Sequence, residues 1–120
     1  VTIDALDATG RYRGGVILPG LVLQRQALTQ GTQQIAPSSG QPDRCLARTT
    51  ADGVASGTLY GLVGAIDRIL DEQSATLGIE PVVLITGGDA PAVRVLLRHV
   101  STHAPDLVLE GVARIAEQTP

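Results

Sequence analysis

Phenylalanine, tryptophan, methionine and lysine are all missing from these 120 residues, and tyrosine occurs only twice. An apolar share of 43% is therefore built from Val, Leu, Ile and Ala, side chains that suit helices packed on a sheet. All nine basic residues are Arg, the net charge is −3, and neither a basic cluster nor an aromatic stacking surface is present. That excludes nucleic acid as an expected partner. No apolar run approaches the roughly 18 residues a membrane span needs, and no signal-peptide pattern is visible, so no membrane partner is expected either. The lone Cys45 cannot close an internal disulfide and fits a reducing, cytoplasmic setting. The missing methionine removes any initiator, and the chain opens inside a strand pattern, so a piece of a longer polypeptide is expected. The length suits one domain with one core.

The organising stretch is Val82-Val83-Leu84-Ile85-Thr86-Gly87-Gly88-Asp89-Ala90-Pro91. An unbroken apolar run without alternation predicts a strand covered on both faces, as in parallel or mixed α/β sheets. Gly87 and Gly88 then sit at its carboxyl end, where open α/β sheets bind ligands and where a missing Cβ lets a nucleotide or phosphate come close. A plain β-to-α turn, with Asp89 as N-cap and Pro91 in the first helical turn, explains the same residues.

Ahead of this stretch, Val1 to Asp7 alternates apolar and polar, Asp7-Ala8-Thr9-Gly10 reads as a turn, and Arg11 to Leu18 resumes the alternation. This predicts an antiparallel hairpin. Gly14-Gly15 inside the second strand predicts a close backbone approach by a helix or a ligand. A helix is expected from Leu21 to Gln30, stopped by Gly31. Thr32 to Arg48, rich in Gln, Ser, Pro and Gly, predicts a long loop covering a partner or a site.

Thr49-Thr50 supplies a hydroxyl N-cap for a helix running to Leu77, with Gly78 as its stop. Its apolar stripe is Leu59, Leu62, Val63, Ile66, Ile69 and Leu70. Gly53, Gly57 and Gly61 recur along one face, each costing about 0.8 to 1 kcal/mol of helix propensity. Such a seam predicts a second backbone packed very close, either the chain's own sheet or a twin helix across a dimer. After the central strand, Asp89 to His103 reads as helix with Val93, Leu96, Leu97 and Val100 inward. Asp106 to Glu110 reads as a short strand, and Gly111 to Glu117 as a helix with Val112, Ile115 and Ala116 inward. His99 and His103 would share a helix face, but no third ligand follows at metal-binding spacing. The element order predicts a three-layer α/β arrangement.

Thr2-Ile3-Asp4, Gly14-Gly15-Val16-Ile17-Leu18-Pro19-Gly20, Arg48-Thr49-Thr50 through Ala55-Ser56-Gly57, Thr86-Gly87-Gly88-Asp89 and Asp106-Leu107-Val108-Leu109-Glu110-Gly111 follow one another in an order and spacing that is quite specific. Over its whole length the sequence resembles the carboxyl-terminal half of the type III pantothenate kinases, bacterial enzymes of the actin-like ATPase superfamily. The resemblance implies that residues 1–120 form the carboxyl-terminal domain of a two-domain kinase. The implied fold is a ribonuclease H-like, three-layer half, a mixed sheet with flanking helices. The implied activity is ATP-dependent phosphorylation of pantothenate, the first step of coenzyme A synthesis. A homodimer with its sites at the subunit interface, Mg2+ and a monovalent cation, K+ or NH4+, are implied too.

In that family the Thr opening the long helix contacts pantothenate, and Thr50 matches it. The free amides and dipole at a helix N-terminus suit a polar or anionic ligand. Gly87 and Gly88 are the implied neighbours of the nucleotide. Thr49 replaces the family's usual Asn, and Ala47 its usual Gly, departures that bear on local geometry. The family's amino-terminal phosphate loop, its Gly-Ala-Asp-Arg segment with the general base, and its Asp-x-Gly-Thr loop do not occur here. The segment alone is therefore expected to be inactive, and no catalytic residue or metal ligand is nominated. A non-catalytic dimerisation or regulatory module of the family, or another sugar or acid kinase of the superfamily, are the alternatives.

Overall fold

The computed structural model describes residues 1–37, 39–42 and 45–119. The chain order is β1 (Thr2–Leu6), β2 (Tyr12–Ile17), α1 (Leu21–Gly31), α2 (Thr50–Leu77), β3 (Val83–Ile85), α3 (Ala90–Arg94), β4 (Ser101–His103) and α4 (Leu107–Gln118).

β1 and β2 form the expected antiparallel hairpin, with Thr2 opposite Ile17, Asp4 opposite Gly15 and a register shift between Ala5 and Leu6. Its turn is held by Asp7, whose Oδ1 accepts hydrogen bonds from the Thr9 amide at 3.0 Å, the Thr9 hydroxyl at 2.6 Å and the Arg11 amide at 3.1 Å. The Thr9 hydroxyl bond leads the interactions that hold the Asp7 carboxyl below its usual range. Gly10 completes the turn at φ 79°, a left-handed conformation that favours glycine. The close approach predicted at Gly14-Gly15 comes from the hairpin itself. A Cβ on Gly15 would collide with the Asp4 carboxylate and the Ile3 carbonyl on β1.

α2 is the spine. The Thr49 hydroxyl accepts from the Asp52 amide at 3.1 Å to cap it, and Gly78 ends it at φ 68° with its amide donated to the Ser74 carbonyl at 2.8 Å. Leu59, Leu62, Val63, Ile66 and Leu70 are buried on one stripe of α2, while Ile69 is half-buried. With Leu21 of α1 and Val93 of α3 they form the core, and Ile3, Leu18, Val83, Ile85, Leu96 and Leu97 pack against it from both sheets and the α3–β4 turn. This stripe is the apolar contact that α1, α3 and both sheets share.

Carboxyl-terminal to β3 the structure departs from the expected elements. The helix expected from Asp89 to His103 stops at Arg94. Residues 95–100 turn, and the β-branched Val100 and Thr102 bracket and join a strand: β4 pairs parallel with β3, Leu84 opposite Thr102. Val100, expected inward, is 93% exposed. The strand expected at Asp106 to Glu110 is instead the start of α4, because Leu107-Val108-Leu109 continues the helical repeat of Val112 and Ile115, with Asp106 at the N-cap position. Val112, Ile115 and Ala116, expected to face a core, are exposed.

The α/β class stands, with one antiparallel and one parallel ladder, each two-stranded. The three layers do not form among the described residues. α2 covers one face of the sheets, and Leu84, on the opposite face of β3, is 54% exposed rather than covered. No helix among the described residues is long and apolar enough to cross a membrane.

Candidate functional site

The residues singled out from the sequence lie at two places in this framework. One is the lip formed where β3 and β4 end side by side. The Ala104 amide donates to the Ile85 carbonyl at 2.9 Å and the Thr86 hydroxyl to the Pro105 carbonyl at 3.3 Å, bringing Thr86–Asp89 next to 104–106. Gly87 has φ 101°, so a side chain there would strain the backbone, and its carbonyl accepts from the Ala90 amide at 3.2 Å to start α3. A Cβ built on either Gly87 or Gly88 meets nothing within 4 Å, so the space beside them is open to a ligand. Asp89 stands at the N-cap position without a side-chain capping bond, and Pro91 lies in the first turn.

The other place is the amino end of α2. Thr49 is the cap, so Thr50 is not needed for capping, and its side chain is exposed at the first helical position. The described residues of 32–48 hold no helix or strand, and Gly40 and Gln41 lie against this end of the helix. The Gln41 amide donates to Asp52 Oδ1 at 2.9 Å, and Gly40 lies so close that a Cβ would overlap the Ala51 carbonyl. Contacts with the Thr49 side chain and the Gln41 amide hold the Asp52 carboxyl below its usual range.

A third cluster fixes the lip from behind and was not singled out from the sequence. Asp67 on α2 is 4% exposed and accepts from the Arg98 amide at 3.2 Å and from Arg98 Nε at 3.4 Å, and meets His99 Nδ1 at 2.9 Å. Asp71, one turn on, meets Arg98 Nη2 at 2.8 Å and His99 Nε2 at 3.1 Å. Burial pushes the Asp67 carboxyl up, but the His99 and Arg98 hydrogen bonds and the Arg98 charge outweigh it and leave it below its usual value. The Asp71 bond leads those that push the Arg98 guanidinium up. The cluster clamps the α3–β4 turn onto α2 and so seats β4 beside β3. His99 and His103, one helix face in the sequence reading, lie in a turn and a strand respectively. The signal that was available is Asp67 and Asp71 at i, i+4 with adjacent Arg98-His99.

Thr50 and Gly87-Gly88 are thus on different elements, and neither of two open grooves is lined by them. One groove of about 450 Å3 lies between the hairpin and the second half of α2, and one of about 410 Å3 between α1 and α2 at Gly57 and Thr58. Gly53, Gly57 and Gly61 are exposed, and a Cβ on any of them meets nothing within 4 Å. The chain's own sheet is therefore not what packs on the seam.

Residues 1–72 match the family model described as type III pantothenate kinase. A type III pantothenate kinase from Nitrosococcus oceani is 40% identical over 120 residues, covering 99% of this chain and 45% of its own length. One from Alkalilimnicola ehrlichii is 38% identical over 118 residues, covering 98% and 47%. A solved structure described as a Baf family transcriptional activator from Campylobacter jejuni superposes with a TM-score of 0.63 at 20% identity, over 98% of this chain and 52% of that one. The chain thus spans about half the length of the curated relatives it matches.

Proposed function

Because this chain belongs to the type III pantothenate kinase family, we propose that residues 1–120 are the carboxyl-terminal domain of a two-domain, ATP-dependent kinase that phosphorylates pantothenate. The observation that carries this reading is the run of family similarity from the hairpin through the amino end of α2, where Thr50 stands exposed and free of capping duty. The proposed fold of the intact enzyme is the ribonuclease H-like half that the α/β elements partly supply. Phosphoryl transfer depends on positioning and on neutralising charge, and this chain contributes positioning.

In this reading the Thr50 hydroxyl donates to a polar group of pantothenate, which lies against the positive dipole end of α2. The 40–42 segment, pinned at Asp52, walls that side of the site. Gly87 and Gly88 receive ATP at the strand-end lip, whose open space fits a base or ribose. Among the described residues no group of three or more His, Cys, Asp or Glu is placed to hold a metal ion. Mg2+ and a monovalent cation, K+ or NH4+, belong to the proposed activity of the intact enzyme. The glycine seam of α2, open in the single chain, supports a homodimer through that helix. The exposed Cys45 thiol agrees with a cytoplasmic location.

The test is Thr50→Ala in the intact enzyme. Losing a buried hydrogen bond of about 1.5 to 3 kcal/mol lowers kcat/KM for pantothenate by about one to two orders of magnitude, with the KM for ATP nearly unchanged. Unchanged pantothenate kinetics with a lower Tm would reduce Thr50 to a stabilising residue and sink the substrate assignment.

A further inference from the structure

In the first turn of α2 the Thr49 hydroxyl caps the Asp52 amide at 3.1 Å, and an acidic side chain at Asp52 suits the dipole of the helix. The Asp52 carboxylate has a second connection. Its Oδ1 accepts the Gln41 amide, 11 positions earlier in the chain, at 2.9 Å. Among the described residues from 33 to 42, this is the one hydrogen bond made to another part of the chain. Gly40 comes closer still. A Cβ there would overlap the Ala51 carbonyl and crowd the Asp52 amide, so the backbone lies on that peptide only because residue 40 is glycine. The Thr49 side chain first, and then the Gln41 amide, hold the Asp52 carboxyl below its usual range, so the acceptor is ionised, the stronger kind. The segment held in this way lies beside Thr50, whose side chain is exposed.

We propose that Asp52 is a positioning residue for pantothenate: through the Gln41 amide it holds the 40–42 segment against the first turn of α2, so the wall beside Thr50 stands ready before the substrate arrives. Asp52 acts through this segment and does not touch the substrate. A loop already fixed in its bound place removes the ordering cost from binding. Releasing the Gln41 amide restores that cost, and it falls on pantothenate alone, because the proposed ATP lip is built from other elements. The proposal rests on the reading of Thr50 as the pantothenate contact.

The test compares Asp52→Ala, Asp52→Asn and Gly40→Ala with Thr50→Ala in the intact enzyme, measuring KM for pantothenate, KM for ATP, kcat and Tm. Asp52→Ala raises KM for pantothenate by about tenfold and leaves KM for ATP and kcat unchanged. Asp52→Asn keeps a carbonyl oxygen for the Gln41 amide and restores most of the affinity. Gly40→Ala leaves Asp52 intact but lifts the segment off Ala51, and it raises the same constant. A carboxylate that serves only the helix dipole gives another pattern: Asn and Ala lower Tm alike, and neither moves KM for pantothenate. That pattern overturns the proposal, and so does an equal rise in both KM values. Silent Asp52 and Gly40 variants beside a Thr50→Ala that weakens pantothenate use would end the positioning role and leave the substrate assignment standing. Responding Asp52 and Gly40 variants beside a silent Thr50→Ala would uphold the positioning role and remove Thr50 as the substrate contact.

Discussion

Asp67 is a buried carboxylate that ties α2 to the α3–β4 turn. Removing its carboxylate leaves the Arg98 amide without its acceptor, while the Arg98 guanidinium and the His99 ring keep only Asp71. Asp67→Ala should destabilise by about 2 to 3 kcal/mol in urea unfolding, even though Arg98 is largely exposed and its share is screened. Its folded pKa is lowered from 3.8, so the sign is that of a carboxylate favoured when ionised. Its contribution is complete above that value and is lost as pH falls through the lower folded value. Asp67→Asn should flatten the acid limb of stability against pH, and an unchanged acid limb would remove Asp67 as its origin. Gly88 tests the lip. Gly88→Val should raise KM for ATP much more than KM for pantothenate in the intact enzyme, whereas an equal rise in both would indicate a folding defect.

The elements up to β3 were legible because local signals and tertiary contacts agree there. Asp7 and Gly10 fix the hairpin turn, Thr49 and Gly78 bracket α2, and the stripe from Leu59 to Leu70 matches the buried face. Beyond Gly88 the two disagree. A helical repeat through Val93, Leu96, Leu97 and Val100 continues in the sequence, but Asp67 captures the Arg98 amide and turns the chain before β4. That contact joins residues 31 positions apart and leaves no local trace. Thr50 and the two glycines were legible as positions, whereas the crossing of Gly40 and Gln41 over the amino end of α2 was not. The α2 seam yields its own prediction. Gly57→Leu places a bulky side chain where the backbone is now bare, so it should convert the proposed dimer to monomer in sedimentation with little loss of Tm. An unchanged dimer would remove the seam from the interface.

The whole molecule is extended, measuring 53 × 36 × 23 Å along its principal axes. Its radius of gyration is 16.9 Å, against about 14 Å for a compact domain of this length. β3, written as a strand to be covered twice, is covered once, and α4, written with an inward face, has nothing to face. Both bare surfaces are what the proposed two-domain reading expects. The most direct test of that account is complementation. This chain is mixed with the separately produced remaining segment of the Nitrosococcus oceani relative, and ATP-dependent phosphorylation of pantothenate is followed as the ratio is varied. The account predicts that neither part is active alone and that activity appears on mixing and saturates at equal amounts. A stable complex that binds ATP but transfers no phosphate to pantothenate at any ratio would contradict it.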